Sequence, residues 1–190
     1  GGLIYASTSI FGGLWGVPFL MKAYSFDKPT AAGIVSIMFF GWVIGSPLSG
    51  ILTNLLNSYK KLLWISSIGG LVVMLVVLYT PGLSVFTLSV LIFSFGIFFF
   101  FFLPSFTLMH DLHPSECNGV ALGFMNTANM VGGALGQPLI GILLDATWDG
   151  TLVNGTRVYA TTNYQWALAC LPIMLAISLI LIPFIKEKTT

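Results

Sequence analysis

The chain has 190 residues, of which 56% are hydrophobic and only 7% charged, and its mean hydropathy is +0.96. Soluble domains carry about 25% charged residues, so this composition excludes an ordinary soluble enzyme and a disordered tail. A net charge of +1 leaves no basic patch to neutralise phosphates, which excludes a nucleic-acid binder. We therefore expect lipid to surround most of the chain.

Long apolar runs, separated by short clusters of charge, predict six membrane-spanning helices. A membrane helix needs about 20 apolar residues, and a charge at its centre costs roughly 2.5–3.5 kcal/mol. The strands of a membrane β-barrel are excluded because they alternate with a period of two over about ten residues. The predicted spans are 2–21, 31–55, 62–80, 84–108, 119–145 and 164–185.

The first span carries a stripe of small and polar side chains. Tyr5, Ser9, Gly12 and Gly16 lie on one face, with Trp15 beside them. Aromatic rings and hydroxyls on one face suit a small polar organic solute. The alternative is that the hydroxyls bond to their own helix and that Trp15 packs at an interface, and the sequence leaves both interpretations open.

The fourth span ends in an aromatic run and a proline. The five phenylalanines from Phe98 to Phe102 wrap the whole helix, so some must face lipid, and they serve either as bulk or as part of a solute cage. Pro104 is expected to kink the helix near its end. The following loop holds His110, His113 and Cys117, whose spacing matches no usual zinc pattern, so we expect neither a metal site nor a cofactor.

The fifth span carries an amide stripe. Asn126, Asn129 and Gln137 fall, with Gly133, within about 80° of one another at 100° per residue. A buried amide in hydrocarbon is costly without a partner. The stripe therefore predicts either the lining of a solute path or hydrogen bonds to another helix.

A repeat relates the second and fifth spans. Residues 41–54 read GWVIGSPLSGILTN and residues 132–145 read GGALGQPLIGILLD, at an offset of 91 residues. The shared positions are Gly41, Gly45, Pro47, Leu48, Gly50, Ile51 and Leu52, which recur as Gly132, Gly136, Pro138, Leu139, Gly141, Ile142 and Leu143.

The offset equals three helices, so the two copies are expected to cross the membrane in opposite directions. The predicted fold is an all-α bundle of two inverted three-helix repeats, about 1–82 and 83–185, within one six-helix domain. Inverted repeats are typical of secondary transporters, whose solute sites lie near mid-membrane. Pro47 and Pro138 each remove a backbone hydrogen bond, and their kinks are candidates for gating.

The segment GSPLSGILTNLLNSYKK resembles the G-x-x-x-G-x-L-x-D-R-x-x-x-R-R signature of the major facilitator superfamily. The resemblance implies the C-terminal six-helix half of a twelve-helix carrier and extends over essentially all 190 residues. In that family the second and fifth spans of this half pack against the N-terminal half. The resemblance therefore implies that the stripes of Gly41 and Gly45 and of Gly132 and Gly136 form an interface left uncovered in this chain alone.

The signature's Asp-Arg pair is Asn54-Leu55 in this sequence, so the resemblance does not extend to the charge-paired latch of the family. The chain begins without a basic leader or a cleavage site, and we expect it to be a piece of a longer protein. Lys60, Lys61, Lys186 and Lys188 share one side of the membrane, which favours a cytoplasmic location for both ends of the chain.

These observations predict a secondary transporter and not an enzyme. The expected partners are a small polar solute, membrane lipid and an N-terminal half. The candidate solute-binding residues are Tyr5, Ser9, Trp15, Asn126, Asn129 and Gln137.

No ionisable residue lies near the middle of a span, so a proton- or sodium-coupling carboxylate would belong to the other half. Two alternatives remain: a self-sufficient half-carrier that forms a homodimer through its glycine stripes, or a non-transporting membrane scaffold.

Overall fold

Six helical stretches in the computed structural model are long and apolar enough to cross a membrane. The structure describes residues 1–112, 114–153 and 155–185. Each stretch begins and ends within a few residues of a predicted span, because the charge clusters and turns that end the apolar runs also end the helices. The prediction of an all-α, six-helix membrane bundle is confirmed. The spans are Gly2–Ala23, Lys28–Leu56, Tyr59–Tyr79, Val85–Asp111, Asn118–Ala146 and Thr161–Phe184.

The first and fourth spans change helical form part-way along. The first consists of the α-helix Gly2–Ile10, a π-helical turn at Phe11–Trp15 and the α-helix Gly16–Ala23. In the fourth, the α-helix Val85–Phe100 ends and a second α-helix, Pro104–Leu112, begins. Where the sequence predicted a kink, the structure has a break, because proline suits the first turn of a new helix better than a helix interior. The π-helical turn was not predicted.

The connections are short except for the one before the sixth span. Asn57 ends the second span in a left-handed conformation with φ 46°, and the hydroxyl of Ser58 then caps the third span by accepting a bond from the Lys61 amide. The longer connection contains an antiparallel pair of two-residue strands, Leu152–Val153 and Thr156–Arg157. The sixth span is built from Thr161–Leu168, Cys170–Leu181 and a 3₁₀ turn at Ile182–Phe184.

Hydrogen bonds between connections define the two ends of the bundle. At one end, here called the loop end, the hydroxyl of Tyr24 donates to the carbonyls of Val77 and Thr80, both at 2.8 Å. At the other, the terminal end, the ammonium of Lys60 lies 3.4 Å from the carbonyl of Pro183. The second span therefore runs from the loop end to the terminal end, and the fifth span runs in the opposite direction.

The packing of the spans follows the same inverted symmetry. The second span packs most extensively against the fourth, and its copy, the fifth span, packs against the first. A Cβ on Gly41 would collide with the carbonyl oxygen of Phe93, and a Cβ on Gly132 would lie 3.8 Å from the carbonyl oxygen of Gly2. Gly41 and Gly132 are 91 residues apart, and so are Gly2 and Phe93, whose carbonyls they approach. The prediction of two inverted three-helix repeats is confirmed by this geometry.

The prediction that the glycine stripes are uncovered in this chain is wrong. Gly41 and Gly45 are buried against the fourth span, and Gly136 is buried against the first. Small residues four apart let backbones approach closely, but the partner helices belong to the same six-helix bundle. In contrast, the two prolines of the copies, Pro47 and Pro138, are exposed.

Candidate functional site

Five of the six predicted solute-binding residues lie along one line of contact between the first and fifth spans, here called the seam. Tyr5, Ser9 and Trp15 come from the first span, and Asn129 and Gln137 come from the fifth. The two spans meet because the small residues of the fifth span let the first approach. The spacing predicted two separate stripes, and the structure brings them face to face.

The π-helical turn forms the part of the seam nearest the loop end. The indole Nε1 of Trp15 donates to the backbone carbonyl of Gln137 at 2.9 Å. The side-chain Nε2 of Gln137 lies 2.8 Å from the position that a Cβ on Gly13 would take, so this glycine makes room for the amide. A π-helical turn inside an α-helix frequently marks a functional site. Here it places an indole and an amide beside an exposed glycine.

The middle of the seam joins a hydroxyl and a phenol to the fifth span. The Oγ of Ser9 lies 2.8 Å from the Cβ position of Gly133, and Cε1 of Tyr5 lies 3.7 Å from the same position. The hydroxyl of Tyr5 points at the sulfur of Met130 at 3.2 Å. A thioether is a weak acceptor. The phenol therefore keeps most of its capacity to donate to another group.

Asn129 is buried at the terminal end of the seam. Its side chain is 2% exposed, and its Oδ1 lies 3.4 Å from the Cβ position of Gly2. Among the residues that the structure describes, its Nδ2 has no hydrogen-bond partner. A buried donor left unsatisfied costs about 1–3 kcal/mol, so such a group calls for a reason. Asn126, about one turn earlier, is exposed and does not join the seam.

Trp42 of the second span is a candidate that the sequence interpretation missed. Its ring lies 4.8 Å from those of both Phe39 and Phe99, between centroids. Within the described part of the chain, its Nε1 is buried without a hydrogen-bond partner. The repeat could have identified it, because the offset of 91 residues places Trp42 at the position of Gly133, in the middle of the amide stripe.

An aromatic bridge connects Trp42 to the seam. Phe99 contacts the ring of Trp42 on one side and lies 5.9 Å from that of Tyr5 on the other, between centroids. Phe102 also packs on both Tyr5 and Phe99. Part of the phenylalanine run thus faces the protein interior. The site has an amide wall from the fifth span and an aromatic wall from the second and fourth.

The ligand-rich loop does not assemble a metal site among the described residues. The carboxylate of Asp111 accepts a bond from the hydroxyl of Tyr59 at 3.0 Å and lies 3.4 Å from Nδ1 of His110. Cys117 is exposed. His113, which the sequence placed in the same cluster, lies outside the described residues.

The ends of the two repeat copies differ in charge. Asn54 and Leu55 are exposed at the terminal end. At the loop end, the carboxylate of Asp145 is 2.7 Å from the guanidinium of Arg157 and accepts a bond from the hydroxyl of Tyr159. The hydrogen bond with Asp145 raises the pKa of Arg157 above its usual range. An ion pair thus stands at the copy that carries the acid, and it joins the end of the fifth span to the connection 147–160.

The chain was compared with known families and structures. A sequence model described as the Major Facilitator Superfamily matches residues 1–189. The xylose transporter XylE from E. coli in its inward open conformation superposes with a TM-score of 0.78 at 16% identity, over 98% of this chain and 46% of that chain. Its partially occluded inward open conformation gives 0.76 at 17% identity, over 98% and 47%. This chain therefore spans about half the length of these structures, and the likeness is one of fold. No curated protein matches the chain.

Proposed function

The chain belongs to the major facilitator superfamily, and from this premise we propose that it is the C-terminal six-helix half of a secondary transporter for a small polar metabolite. The observation that carries the proposal is the seam, where donors without strong acceptors are held inside a membrane bundle. Membrane proteins rarely leave such groups unpaired unless they serve function. Alternating access would expose this site to each side in turn.

The partner that we propose is an N-terminal six-helix half. The second and fifth spans carry large apolar side chains on the face opposite their buried glycines, among them Phe40 and Val43, which are 68% and 71% exposed. Pro47 and Pro138 lie on exposed surface as well. In this proposal the glycines fix each copy to its neighbour within the half, while the prolines shape the surfaces that move against the other half.

The solute that best fits the site is neutral and rich in acceptors. Three donors lack a strong acceptor: Nε1 of Trp42, Nδ2 of Asn129 and the hydroxyl of Tyr5. No charged residue in the middle of a span would pair with a charged solute. A sugar is one such solute, which accords with the shared fold of the xylose transporter. Coupling to a proton or sodium ion would need a carboxylate from the other half.

For the orientation in the membrane, we propose that both ends of the chain lie in the cytoplasm.

The structure removes the basis for one alternative. A homodimer through the glycine stripes needs those stripes at the surface, and Gly41, Gly45 and Gly136 are already buried within the bundle. A non-transporting scaffold remains the competing function, and a transport measurement separates it from a carrier.

The test is uptake by the whole carrier reconstituted in lipid vesicles, with a panel of labelled neutral solutes that includes xylose. We expect saturable uptake of at least one solute. Asn129→Leu should abolish that uptake without unfolding the bundle, because leucine has a similar volume and removes an unpaired donor. Asn126→Leu shows whether the exposed amide also belongs to the path. A scaffold would give no uptake for any solute, and undiminished uptake by Asn129→Leu would remove the seam from the path.

A further inference from the structure

A cavity lies at the terminal end of the bundle, next to the end of the seam at which Gly2 meets Asn129. Its volume is about 390 Å³, and it is partly open. It lies between the first, fifth and sixth spans, with one residue from the third. The side chains that form its wall include Leu3, Ile4, Leu63, Met174, Leu181 and Ile182.

The wall of this cavity offers an apolar environment. Ser178 is the one polar side chain among its described lining residues. The hydroxyl of Ser178 is engaged with Oγ of Ser67 at 2.6 Å and with the carbonyl of Leu175 at 2.7 Å. A cavity with a mostly apolar wall takes up apolar ligands. In a bilayer, the apolar groups at hand are acyl chains.

Lys60 lies beside the part of the sixth span that lines the cavity. Its ammonium lies 3.4 Å from the carbonyl of Pro183, between the lining residues Ile182 and Ile185. Leu63, which lines the cavity, follows Lys60 by three residues and so shares its face of the helix. In the described part of the chain, Lys60 forms no ion pair with a carboxylate. A lysine with an apolar stem and a charge that no described carboxylate pairs with suits a phosphate headgroup.

We propose that this cavity binds an anionic phospholipid, with one acyl chain between the first, fifth and sixth spans and the phosphate at Lys60. The occupant is a lipid and not a soluble anion, because the apolar cavity and the charge adjoin at the end of the bundle. The lipid would tie the sixth span to the first and fifth without entering the seam. This proposal does not depend on the transport function.

The test is native mass spectrometry of the whole carrier with phosphatidylglycerol or phosphatidylcholine of matched acyl chains. We expect the wild type to bind one phosphatidylglycerol more tightly than phosphatidylcholine. Ala128→Phe places a ring in the cavity wall and should weaken both lipids about tenfold, the effect of displacing roughly two methylene groups. The matched control is Ala134→Phe, since Ala134 is exposed on the same span and does not line the cavity.

A second pair of variants tests the headgroup. Lys60→Gln should weaken phosphatidylglycerol roughly fivefold and leave phosphatidylcholine unchanged, because one lysine near an anionic headgroup makes a modest contribution. Lys61→Gln removes the same charge from the neighbouring exposed position and should change neither.

Two readouts do not depend on how well the variants fold. In the wild type, shortening the acyl chains should weaken binding, because the cavity contributes through apolar contact. Equal binding of the two headgroups by the wild type would overturn the role of Lys60. Binding that is insensitive to acyl length, or that survives Ala128→Phe unchanged, would overturn the cavity as the site.

Discussion

The two glycine-proline copies share a sequence pattern, and each packs against the equivalent helix of the other repeat: the second span against the fourth, and the fifth against the first. The two pairs nevertheless pack at different distances. In the second span, a Cβ on Gly41 would collide with a backbone carbonyl of the fourth span, and a Cβ on Gly96 would collide in return with the carbonyl of Met38. In the fifth span, a Cβ on Gly132 would lie 3.3 Å from the side chain of Ala6. One copy is joined backbone to backbone, and the other is joined through side chains.

The two copies also differ on the face beside the glycines. Met38 and Trp42 of the second span stand where the fifth span has Asn129 and Gly133. The first copy thus contributes packing and an aromatic ring, whereas the second contributes amides. The difference shows how two inverted copies can keep the same glycine pattern and equivalent partner helices while one copy contributes apolar packing and the other contributes a polar wall.

The largest effect is expected from adding one methyl group to the tight copy. Gly41→Ala forces a Cβ against backbone that cannot rotate away, so we expect it to destabilise the bundle by about 3 kcal/mol or to prevent assembly. Gly132→Ala meets the side chain of Ala6 and reaches the carbonyl oxygen of Gly2 only at an ordinary contact distance, so it should cost less than about 1 kcal/mol. Unfolding of the two variants in detergent, followed by circular dichroism against added denaturant, measures the difference. Equal losses of stability would show that the copies are packed alike.

The next effect separates the aromatic wall from simple packing. Trp42→Phe keeps a ring against Phe99 but removes the unpaired Nε1 donor. We expect solute uptake to fall about tenfold, the loss of roughly 1.4 kcal/mol of interaction. Stability should not fall by more than about 1 kcal/mol, since no protein hydrogen bond is lost. If uptake were unchanged, Trp42 would be a packing residue only.

A smaller effect is expected where the π-helical turn meets the fifth span. Trp15→Phe removes the bond from Nε1 to the carbonyl of Gln137 and should cost about 1 kcal/mol of stability, the usual net value of such a bond. Hydrogen exchange of the amides around Gln137 reports the local loosening. Protection that stays at the wild-type level would mean that packing alone holds the two spans together at this point.

The smallest effect concerns the charged ends of the copies. Arg157→Gln removes the ion-pair partner of Asp145. It should make the connection 147–160 more sensitive to added protease. Adding a carboxylate at the other copy, Asn54→Asp, should change stability by less than about 0.5 kcal/mol, as is usual for an exposed surface position. Equal protease sensitivity of Arg157→Gln and the wild type would show that the ion pair does not order the loop.

The pH dependence of this loop follows from the raised pKa of Arg157. When folding raises the pKa of a base, the stability that its charge provides is complete at pH values below its ordinary pKa. That stability is lost only as the pH rises through the pKa of the folded state. Protease resistance should therefore stay constant from about pH 6 to 9. A loss of resistance within that window would assign the loop's order to another group.

The sequence predicts the spans because charge clusters and prolines are local signals, and the break at Pro104 is an example. It also predicts the opposed directions, since an offset of three helices leaves no other arrangement. It does not predict which helices pack on Gly41 and Gly136. A stripe of small residues indicates that another helix approaches closely, but it does not identify that helix. The π-helical turn at Phe11–Trp15 has no local signal, so the contact of Trp15 with the fifth span was not foreseen.

The most direct test compares Asn129 of the fifth span, which we propose faces a solute path, with Met38 at the equivalent position of the second span, which is packed. In the whole carrier with Cys117 and Cys170 replaced, cysteines at positions 129 and 38 can be challenged with a membrane-impermeant thiol reagent during turnover. We expect the reagent to label Asn129→Cys and transported solute to slow that labelling. We expect no labelling of Met38→Cys. Labelling of Met38→Cys alone, or labelling of Asn129→Cys that solute does not slow, would contradict it.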